Sequence, residues 1–307
     1  IIAIIGTSSI SKSYINYFKK DNRCDLKYIY GRDSGRVRIW ALKYKLKAIY
    51  NYSEILNNKK IDCIIILNEP NKHVDFSLPA LLSEKHVLVE KPLDIDLDKA
   101  LRFTELASQS KQVVSVISQN RFNNKIIKIK EIIKANKYGK LLFFNICLYK
   151  KKSRKYYMNG NGWRKEYGGV LFNQAIHWID VGIWIFGKYK VSNLISKKIN
   201  KFLSQDDTGC LSIDFDDGPI YTINCTNAID KKQTEKIILQ FEKKNIEINL
   251  RETIFKKLFL RIIYLLKIDK SPIEKQLDGY INCIISKKKP LVSTLEAYNA
   301  LKLIFES

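Results

Sequence analysis

Lys91, Asn173 and His177 are residue types that can carry out chemistry at a hydroxyl group. Lys91 follows the apolar run His86–Val89 and precedes Pro92, which bars a strand from continuing. Open α/β sheets bind ligands beyond the carboxyl ends of their strands, where this order places the lysine. His177 comes four residues after Asn173, so both side chains project from one helix face. Because asparagine cannot ionise, only the histidine of this pair could transfer a proton. The alternatives are a solvated strand end for the lysine and a structural role for the histidine.

The amino-terminal strand and the loop after it predict a dinucleotide site. Ile1–Gly6 is apolar up to its glycine, and Thr7–Ser11 leads into a helix whose first backbone N–H groups would face a pyrophosphate. The usual fingerprint has three glycines, of which Gly6 remains, while Ser8 and Ser11 occupy the other two positions. The predicted cofactor contacts in this loop are Gly6, Thr7, Ser8, Ser9 and Ile10.

A second strand end predicts which nicotinamide dinucleotide binds. The strand Leu26–Tyr30 is followed by Arg32 and Asp33, at the end that faces the adenosine ribose in such folds. An acid there suits the free ribose hydroxyls of NAD, whereas an arginine suits the 2′-phosphate of NADP. Since Arg32 comes first, with Arg36 nearby, we expect NAD(P) with a preference for NADP. The alternative is that Arg32 is an ordinary surface residue.

The elements that must position these residues fall into two patterns. Over the first 118 residues strands and helices alternate, and Ile61–Leu67 is nearly all apolar, as buried parallel strands are. Beyond Gly187 the pattern alternates every two residues, which indicates antiparallel strands, with Asp217-Gly218 as a hairpin turn. We therefore expect a doubly wound parallel sheet over residues 1–118. Residues 119–307 should form an α+β domain with a large open antiparallel sheet covered by helices on one face.

Composition limits the partners of this 307-residue chain. The formal net charge of +23 favours anionic ligands, but the lysines are spread along the chain, so no nucleic-acid partner is expected. Ile254–Ile268 is interrupted by basic residues and predicts an amphipathic helix, and no membrane span or signal peptide is expected. The six scattered cysteines indicate free thiols in a cytoplasmic protein, with no metal site.

Two motifs resemble those of the Gfo/Idh/MocA family, which takes its name from glucose–fructose oxidoreductase and inositol dehydrogenase. The first is Glu90-Lys91-Pro92, preceded by the loop Pro70–His73. The second is the run Gly168–Asp180, which fits the pattern Gly-Gly-x-Leu-x-(Asp/Asn)-x-x-x-His-x-x-Asp. The resemblance implies a Rossmann-type first domain and a catalytic group of Lys91, His177 and Asn173. Many members carry aspartate where this chain has Asn173.

The resemblance also implies further contacts. Those to the cofactor are Arg32, Asp33, Asn68, Asn71, His73, Glu90, Lys91 and Gln119. Those to the substrate are Lys91, Arg121, Asn123, Trp163, Arg164, Asn173 and His177. The last set lies partly in the basic, aromatic segment Lys150–Tyr167, predicted as a long polar loop that either binds substrate or is plain surface.

The function implied is oxidation or reduction of a secondary hydroxyl or keto carbon of a sugar with NAD(P). These motifs are most similar to the branch that acts on UDP-N-acetylhexosaminuronates at C3 in surface-polysaccharide synthesis. A homo-oligomer, dimer or tetramer, through the carboxyl-terminal sheet is also implied. The alternative is a catalytically inactive dinucleotide-binding scaffold or redox sensor, since the glycine loop is incomplete.

Overall fold

A computed structural model describes residues 1–159, 162–230, 233–250 and 269–307. They form two compact units, Ile1–Ile117 with Gln276–Tyr298, and Ser118–Lys275 with Asn299–Ser307. The stretch Gln276–Tyr298, which we expected in the second domain, thus groups with the first unit. The helix predicted over Ile254–Ile268 lies outside the described residues.

The first unit contains the expected doubly wound parallel sheet. Its strand order is β3-β2-β1-β4-β5-β6, and all of its strands are parallel. The strands are β1 (Ile2–Ile5), β2 (Leu26–Tyr30), β3 (Lys47–Ile49), β4 (Cys63–Ile66), β5 (His86–Val89) and β6 (Val114–Val116). Every residue of β1 and β4 is buried, because helices cover both faces of such a sheet. The order reverses at β1, and ligands bind beyond the strand ends at such a point.

Helices connect these strands, and polar side chains begin several of them. They are α1 (Ser11–Phe18), α2 (Ser34–Tyr44), α3 (Tyr52–Asn57), α4 (His73–Leu82) and α5 (Leu97–Gln109), with a 3₁₀ turn at Pro70–Lys72. Asp33, Asn51 and Asp96 cap α2, α3 and α5 by accepting hydrogen bonds from backbone N–H groups of the first turn. The later helices within the described residues are α6 (Asn124–Lys134), α7 (Arg154–Met158), α8 (Trp163–Tyr167), α9 (Ile176–Phe186), α10 (Pro272–Ser286) and α11 (Thr294–Glu306).

The second unit contains the expected sheet, with one correction. Its strands are β7 (Leu141–Tyr149), β8 (Tyr189–Lys197), β9 (Thr208–Phe215), β10 (Ile220–Thr226), β11 (Thr234–Phe241) and β12 (Asn245–Asn249). Their order is β12-β11-β7-β10-β9-β8, and β7 pairs with β10 in parallel while the other pairs are antiparallel. The sheet is therefore mixed, because the chain leaves β7 and returns beside it only after α9 and two further strands.

The core of the second unit lies between this sheet and α9. Ile213, Tyr221 and Ile237 project from the buried face of the sheet into the same apolar cluster as Ile179 and Val181 of α9. The Tyr221 hydroxyl donates a hydrogen bond of 2.6 Å to a backbone carbonyl of α9. This contact holds α9 against the sheet at Trp178, the residue after the candidate catalytic His177.

Candidate active site

The Glu90-Lys91-Pro92 loop is held by hydrogen bonds on both sides of the lysine. The Tyr14 hydroxyl, fully buried in α1, donates to Glu90 Oε1 at 2.5 Å. Glu90 Oε2 accepts the backbone N–H of Lys91 at 3.1 Å. The Lys91–Pro92 peptide bond is cis. Burial, together with the adjacent Glu90 carboxylate, raises the pKa of Tyr14, so this phenol remains a hydrogen-bond donor.

His73 supports the same loop from α4. Its ring is 1% exposed, with Nδ1 2.7 Å from the carbonyl oxygen of Pro92 and Nε2 3.3 Å from that of Asn68. Burial lowers the pKa of His73, which favours a neutral ring that donates to Pro92. Asp94 accepts backbone N–H groups from Val74 and Ile95 and fixes the chain just after the loop. His73, predicted at the cofactor, is thus enclosed by backbone carbonyls.

The loop after β1 is closed by its serines. Ser11 Oγ is buried, donates to the Gly6 carbonyl at 3.0 Å and accepts the Ser8 N–H at 3.3 Å. Gly6 has a φ of +118°, and a Cβ there would lie 2.7 Å from the carbonyl oxygen of Leu67. The first fingerprint position therefore requires glycine, whereas the serines at the other two hydrogen-bond within the loop.

Two observations on this edge of the sheet fit a bound dinucleotide. No side chain of the described residues caps the amino terminus of α1, and the positive end of its helix dipole favours an anion, while the N–H groups of Ser11 and Ser13 donate to the Ser8 and Ile10 carbonyls. Asn68 Oδ1 is buried and has no hydrogen-bond partner among the described residues. A buried acceptor without a partner costs free energy, and a donor on a ligand would remove that cost. Asn71, in the 3₁₀ turn after β4, is half-buried.

The charged residues near the predicted ribose site are paired with one another. Arg32 Nη2 lies 2.6 Å from Glu69 Oε1, and 58% of the arginine side chain is exposed. Asp33 caps α2 by accepting the N–H of Arg36, whose guanidinium donates to the Thr7 carbonyl at 2.7 Å. A 2′-phosphate would compete with Glu69 for Arg32.

In the second unit, Asn173 and His177 lie where two helical geometries meet. The sequence predicted one regular helix from Val170 to Phe186, but Leu171–Ala175 is a π-helical turn that continues into α9. Asn173 Nδ2 donates to the Tyr156 hydroxyl at 2.6 Å. His177 is half-buried in the first turn of α9. Single π-turns often occur at functional sites, because they displace side chains from regular helical positions.

The segment predicted as a long polar loop contains α7 and α8. Ser153 caps α7, and Tyr156 and Arg164 project from the two helices so that the guanidinium lies 5.0 Å from the ring centroid. The same guanidinium lies 4.5 Å from the Trp163 ring. Trp163 and Arg164 belong to the predicted substrate contacts, and this packing places Arg164 between Trp163 and Tyr156, which the sequence analysis did not single out.

Two other predicted contacts, Arg121 and Asn123, have structural partners. Arg121 is 1% exposed and forms a two-point ion pair with Asp180, with distances of 2.9 Å and 2.6 Å. Ser118 donates to the same carboxylate. Asn123 caps α6 by accepting the N–H of Lys125. Gln119, in the 3₁₀ turn Gln119–Phe122, is half-buried. Arg121 therefore anchors α9 through the last residue of the second motif and offers no exposed surface to a substrate.

Neither a membrane span nor a metal cluster occurs in the part of the chain that the structure describes. No helix there is long and apolar enough to cross a bilayer. No group of three or more histidine, cysteine or acidic side chains is arranged to bind a metal ion in those ranges.

Solved structures with the same fold cover nearly the whole chain. The WlbA dehydrogenase of Bordetella pertussis, in complex with NADH and UDP-GlcNAcA, superposes with a TM-score of 0.86 over 99% of this chain and 94% of its own, at 18% identity. Myo-inositol 2-dehydrogenase from Lactobacillus plantarum gives a TM-score of 0.82 over 98% and 94%, at 16% identity. At these identities the likeness shows the fold.

Sequence comparisons identify the family. Inositol 2-dehydrogenase from Salmonella typhimurium is 25% identical over 158 residues, 50% of this chain and 45% of that enzyme. A 1-carboxy-3-chloro-3,4-dihydroxycyclohexa-1,5-diene dehydrogenase from Comamonas testosteroni is 26% identical over 186 residues, 59% of this chain and 46% of its own. The chain thus matches about half the length of these relatives. Residues 1–118 match the profile of the oxidoreductase family with an NAD-binding Rossmann fold, and residues 126–247 match a Gfo/Idh/MocA carboxyl-terminal domain. Together these matches show that the chain belongs to the Gfo/Idh/MocA family of oxidoreductases.

Proposed function

We propose that this protein oxidises or reduces a secondary hydroxyl or keto carbon of a sugar, with NAD(P) as cofactor. The observation that carries the proposal is the support given to Lys91. On the amino-terminal side of Lys91, Tyr14 donates a hydrogen bond to Glu90, which accepts the Lys91 N–H. On the carboxyl-terminal side, the His73 ring hydrogen-bonds to the Pro92 carbonyl. A loop held from two helices is what a catalytic ammonium requires, because its position must be fixed before substrate arrives.

In the proposed oxidation, His177 takes the hydroxyl proton and Lys91 stabilises the negative charge that develops on the oxygen. When bound, NAD(P) would supply the hydride acceptor for this carbon, so that the alcohol would become a ketone. Asn173, held by Tyr156, orients the hydroxyl and exchanges no proton. In the reverse direction, His177 returns the proton to the oxygen.

The proposed cofactor site is the crevice beyond β1 and β4. Gly6 permits close approach of the pyrophosphate, and the positive end of the α1 dipole favours its negative charge. Asn68 Oδ1 can accept a hydrogen bond from the cofactor. We propose that Arg32 binds the 2′-phosphate of NADP after it leaves Glu69, so NADPH should bind more tightly than NADH.

The proposed substrate is a nucleotide sugar, and the proposed compartment is the cytoplasm. Among solved structures of this fold, WlbA holds UDP-GlcNAcA. The basic and aromatic groups on α7 and α8 suit a ligand that carries both phosphate and planar or sugar rings. The six cysteines are free thiols, as a reducing compartment would keep them.

Fluorescence titration with NADH and with NADPH, each with and without UDP-sugars, tests this proposal. We expect both to bind, NADPH more tightly, and one UDP-sugar to alter the affinity. If neither cofactor binds at millimolar concentration, Ser8 and Ser11 have broken the site and the inactive scaffold becomes the better hypothesis.

We also propose a homo-oligomer through the outward face of the second unit's sheet. Val191, Ile220 and Phe143 form a row across this face, interrupted by Asp214, and the three apolar residues are 53%, 48% and 41% exposed. An apolar row on an open sheet favours burial against a second copy.

A further inference from the structure

Two basic side chains lie over the Tyr156 ring in the second unit, and a third, Lys150, is paired with Glu235. Lys152 Nζ lies 4.5 Å and Arg164 Cζ lies 5.0 Å from the centroid of its ring. Lys150 Nζ lies 2.9 Å from Glu235 Oε2. We call this group, Lys150, Lys152, Arg164, Tyr156 and Glu235, the basic cluster. Two positive charges thus share one aromatic ring.

The basic cluster has more positive than negative charge. Burial lowers the pKa of Lys152, and Lys150 and Arg164 lower it further, while Glu235 opposes them. Glu235 can neutralise one of the three cations, which leaves two. Holding like charges together and partly away from water is unfavourable, and such arrangements are concentrated at sites that bind or react.

Hydrogen bonds join the basic cluster to the turn that precedes His177. The Tyr156 hydroxyl accepts from Asn173 Nδ2 at 2.6 Å, and Lys150 Nζ donates to Gln174 Oε1 at 2.8 Å. Asn173 and Gln174 are neighbours in the π-helical turn. A ligand group on the basic cluster would therefore lie beside the element that presents the proposed general base.

We propose that Lys152 and Arg164 bind a phosphate or pyrophosphate group of the substrate. The two uncompensated charges match a dianion, whereas a carboxylate would neutralise only one. Arginine can bind two phosphate oxygens at once, and lysine contributes a compact charge. This inference rests on the proposed function in one respect, that the anion belongs to the sugar substrate.

Titration of the full chain with inorganic pyrophosphate tests the basic cluster without cofactor or turnover. Lys152→Gln and Arg164→Gln should each weaken binding at least tenfold. The matched control is Lys155→Gln, which removes an exposed lysine of α7 and should bind as the wild type does. Pyrophosphate should also raise the melting temperature of the wild type and of the control, but not of the two cluster variants. Equal weakening in all three variants would show general attraction to a basic protein and would overturn the proposal.

A second arm separates phosphate from carboxylate and separates this inference from the proposed function. Glucuronate, which carries a carboxylate and no phosphate, should not displace pyrophosphate. Displacement of pyrophosphate by glucuronate would overturn the phosphate assignment. Selective pyrophosphate binding with no turnover of any sugar would contradict the oxidoreductase proposal and support the site. Turnover of a neutral sugar without pyrophosphate binding would support the oxidoreductase proposal and contradict the anion site. The unliganded cluster variants should melt no lower than the wild type, since each substitution relieves repulsion.

Discussion

At the scale of single residues, Lys91 depends on a tyrosine that is distant in sequence. Tyr14 lies eight positions after Gly6 and donates to the carboxylate that receives the Lys91 N–H. Tyr14 therefore connects the helix beside the predicted pyrophosphate to the loop of the predicted catalytic lysine. We assign it as a positioning residue, because it contacts Glu90 and reaches the reaction only through that loop.

Tyr14→Phe should lower kcat about tenfold and cost about 1–2 kcal/mol of stability, because a Glu90 oxygen loses its donor. KM should change little. The control is Tyr17→Phe on the same helix, whose hydroxyl donates to Asp21 and Asp278. That substitution should cost stability and leave kcat unchanged. Equal kcat values for the two variants in steady-state assays would contradict the role of Tyr14.

A second residue-scale prediction concerns acid stability. The guanidinium of Arg23 lowers the pKa of Asp21 to about 2 by hydrogen bonding, and the same guanidinium lies 2.6 Å from Asp278. A depressed folded-state pKa means that the stabilisation is complete above pH 4 and disappears as pH falls toward 2.

Asp21→Asn should therefore destabilise the protein by about 1–2 kcal/mol at neutral pH, and the difference from wild type should vanish near pH 2. Denaturant unfolding at a series of pH values measures this difference. Asp25→Asn, at an exposed position in the same connection, should have little effect at any pH. A difference in unfolding free energy between wild type and Asp21→Asn that stays constant with pH would contradict the lowered pKa of Asp21.

At the scale of elements, the loop after β1 requires a glycine for two reasons. Gly6 has a positive φ, and a Cβ would also meet the Leu67 carbonyl at 2.7 Å. Gly187 has a positive φ of 80° as well, but beyond its own chain neighbours no atom of the described residues lies within 4 Å of where its Cβ would be. The two sites therefore separate conformational strain from steric clash.

Gly6→Ala should be more destabilising than Gly187→Ala by about 2 kcal/mol, because only the former adds overpacking against backbone. Gly6→Ala should also abolish cofactor binding, whereas Gly187→Ala should preserve it. Urea unfolding and cofactor titration report the two effects. Intact cofactor affinity in Gly6→Ala would contradict the placement of the dinucleotide at this loop.

Elements with strong local signals were predictable from the sequence, and those set by long-range packing were not. The buried strands β1 and β4 are nearly continuous apolar runs, so their type and order along the chain were predictable. The π-turn at Leu171–Ala175 and the short helices α7 and α8 lack a periodic pattern of their own. The parallel pairing of β7 with β10 joins strands about 70 residues apart, which no local pattern encodes.

Motifs single out Lys91 and His177 as the proposed catalytic residues, but the sequence does not show which side chains pack against them. The burial of Arg121 against Asp180 was not expected, since an arginine after a strand is usually exposed. Tyr156 carried only a weak signal, its place within a basic and aromatic segment.

At the scale of the whole molecule, the net charge of +23 favours anionic ligands, and the basic cluster is the place where we propose that one binds.

The apolar row on the open sheet face predicts self-association. Ile220→Lys places a charge in the centre of this row and should shift the protein toward a monomer. Ile39→Lys, which alters a 63% exposed residue of α2, is the control and should leave the oligomer intact. Light scattering measures the mass, and an unchanged oligomer in Ile220→Lys would place the interface elsewhere.

The most direct test of the central claim is hydride transfer by Lys91→Ala. The control is Lys99→Ala, which removes a 43% exposed lysine paired with Asp75. With saturating cofactor and a UDP-sugar, the absorbance of reduced nicotinamide should change for wild type and for Lys99→Ala. It should stay flat for Lys91→Ala, which should still bind NADH or NADPH. Near-normal turnover by Lys91→Ala would contradict the catalytic role of this lysine and the account built on it.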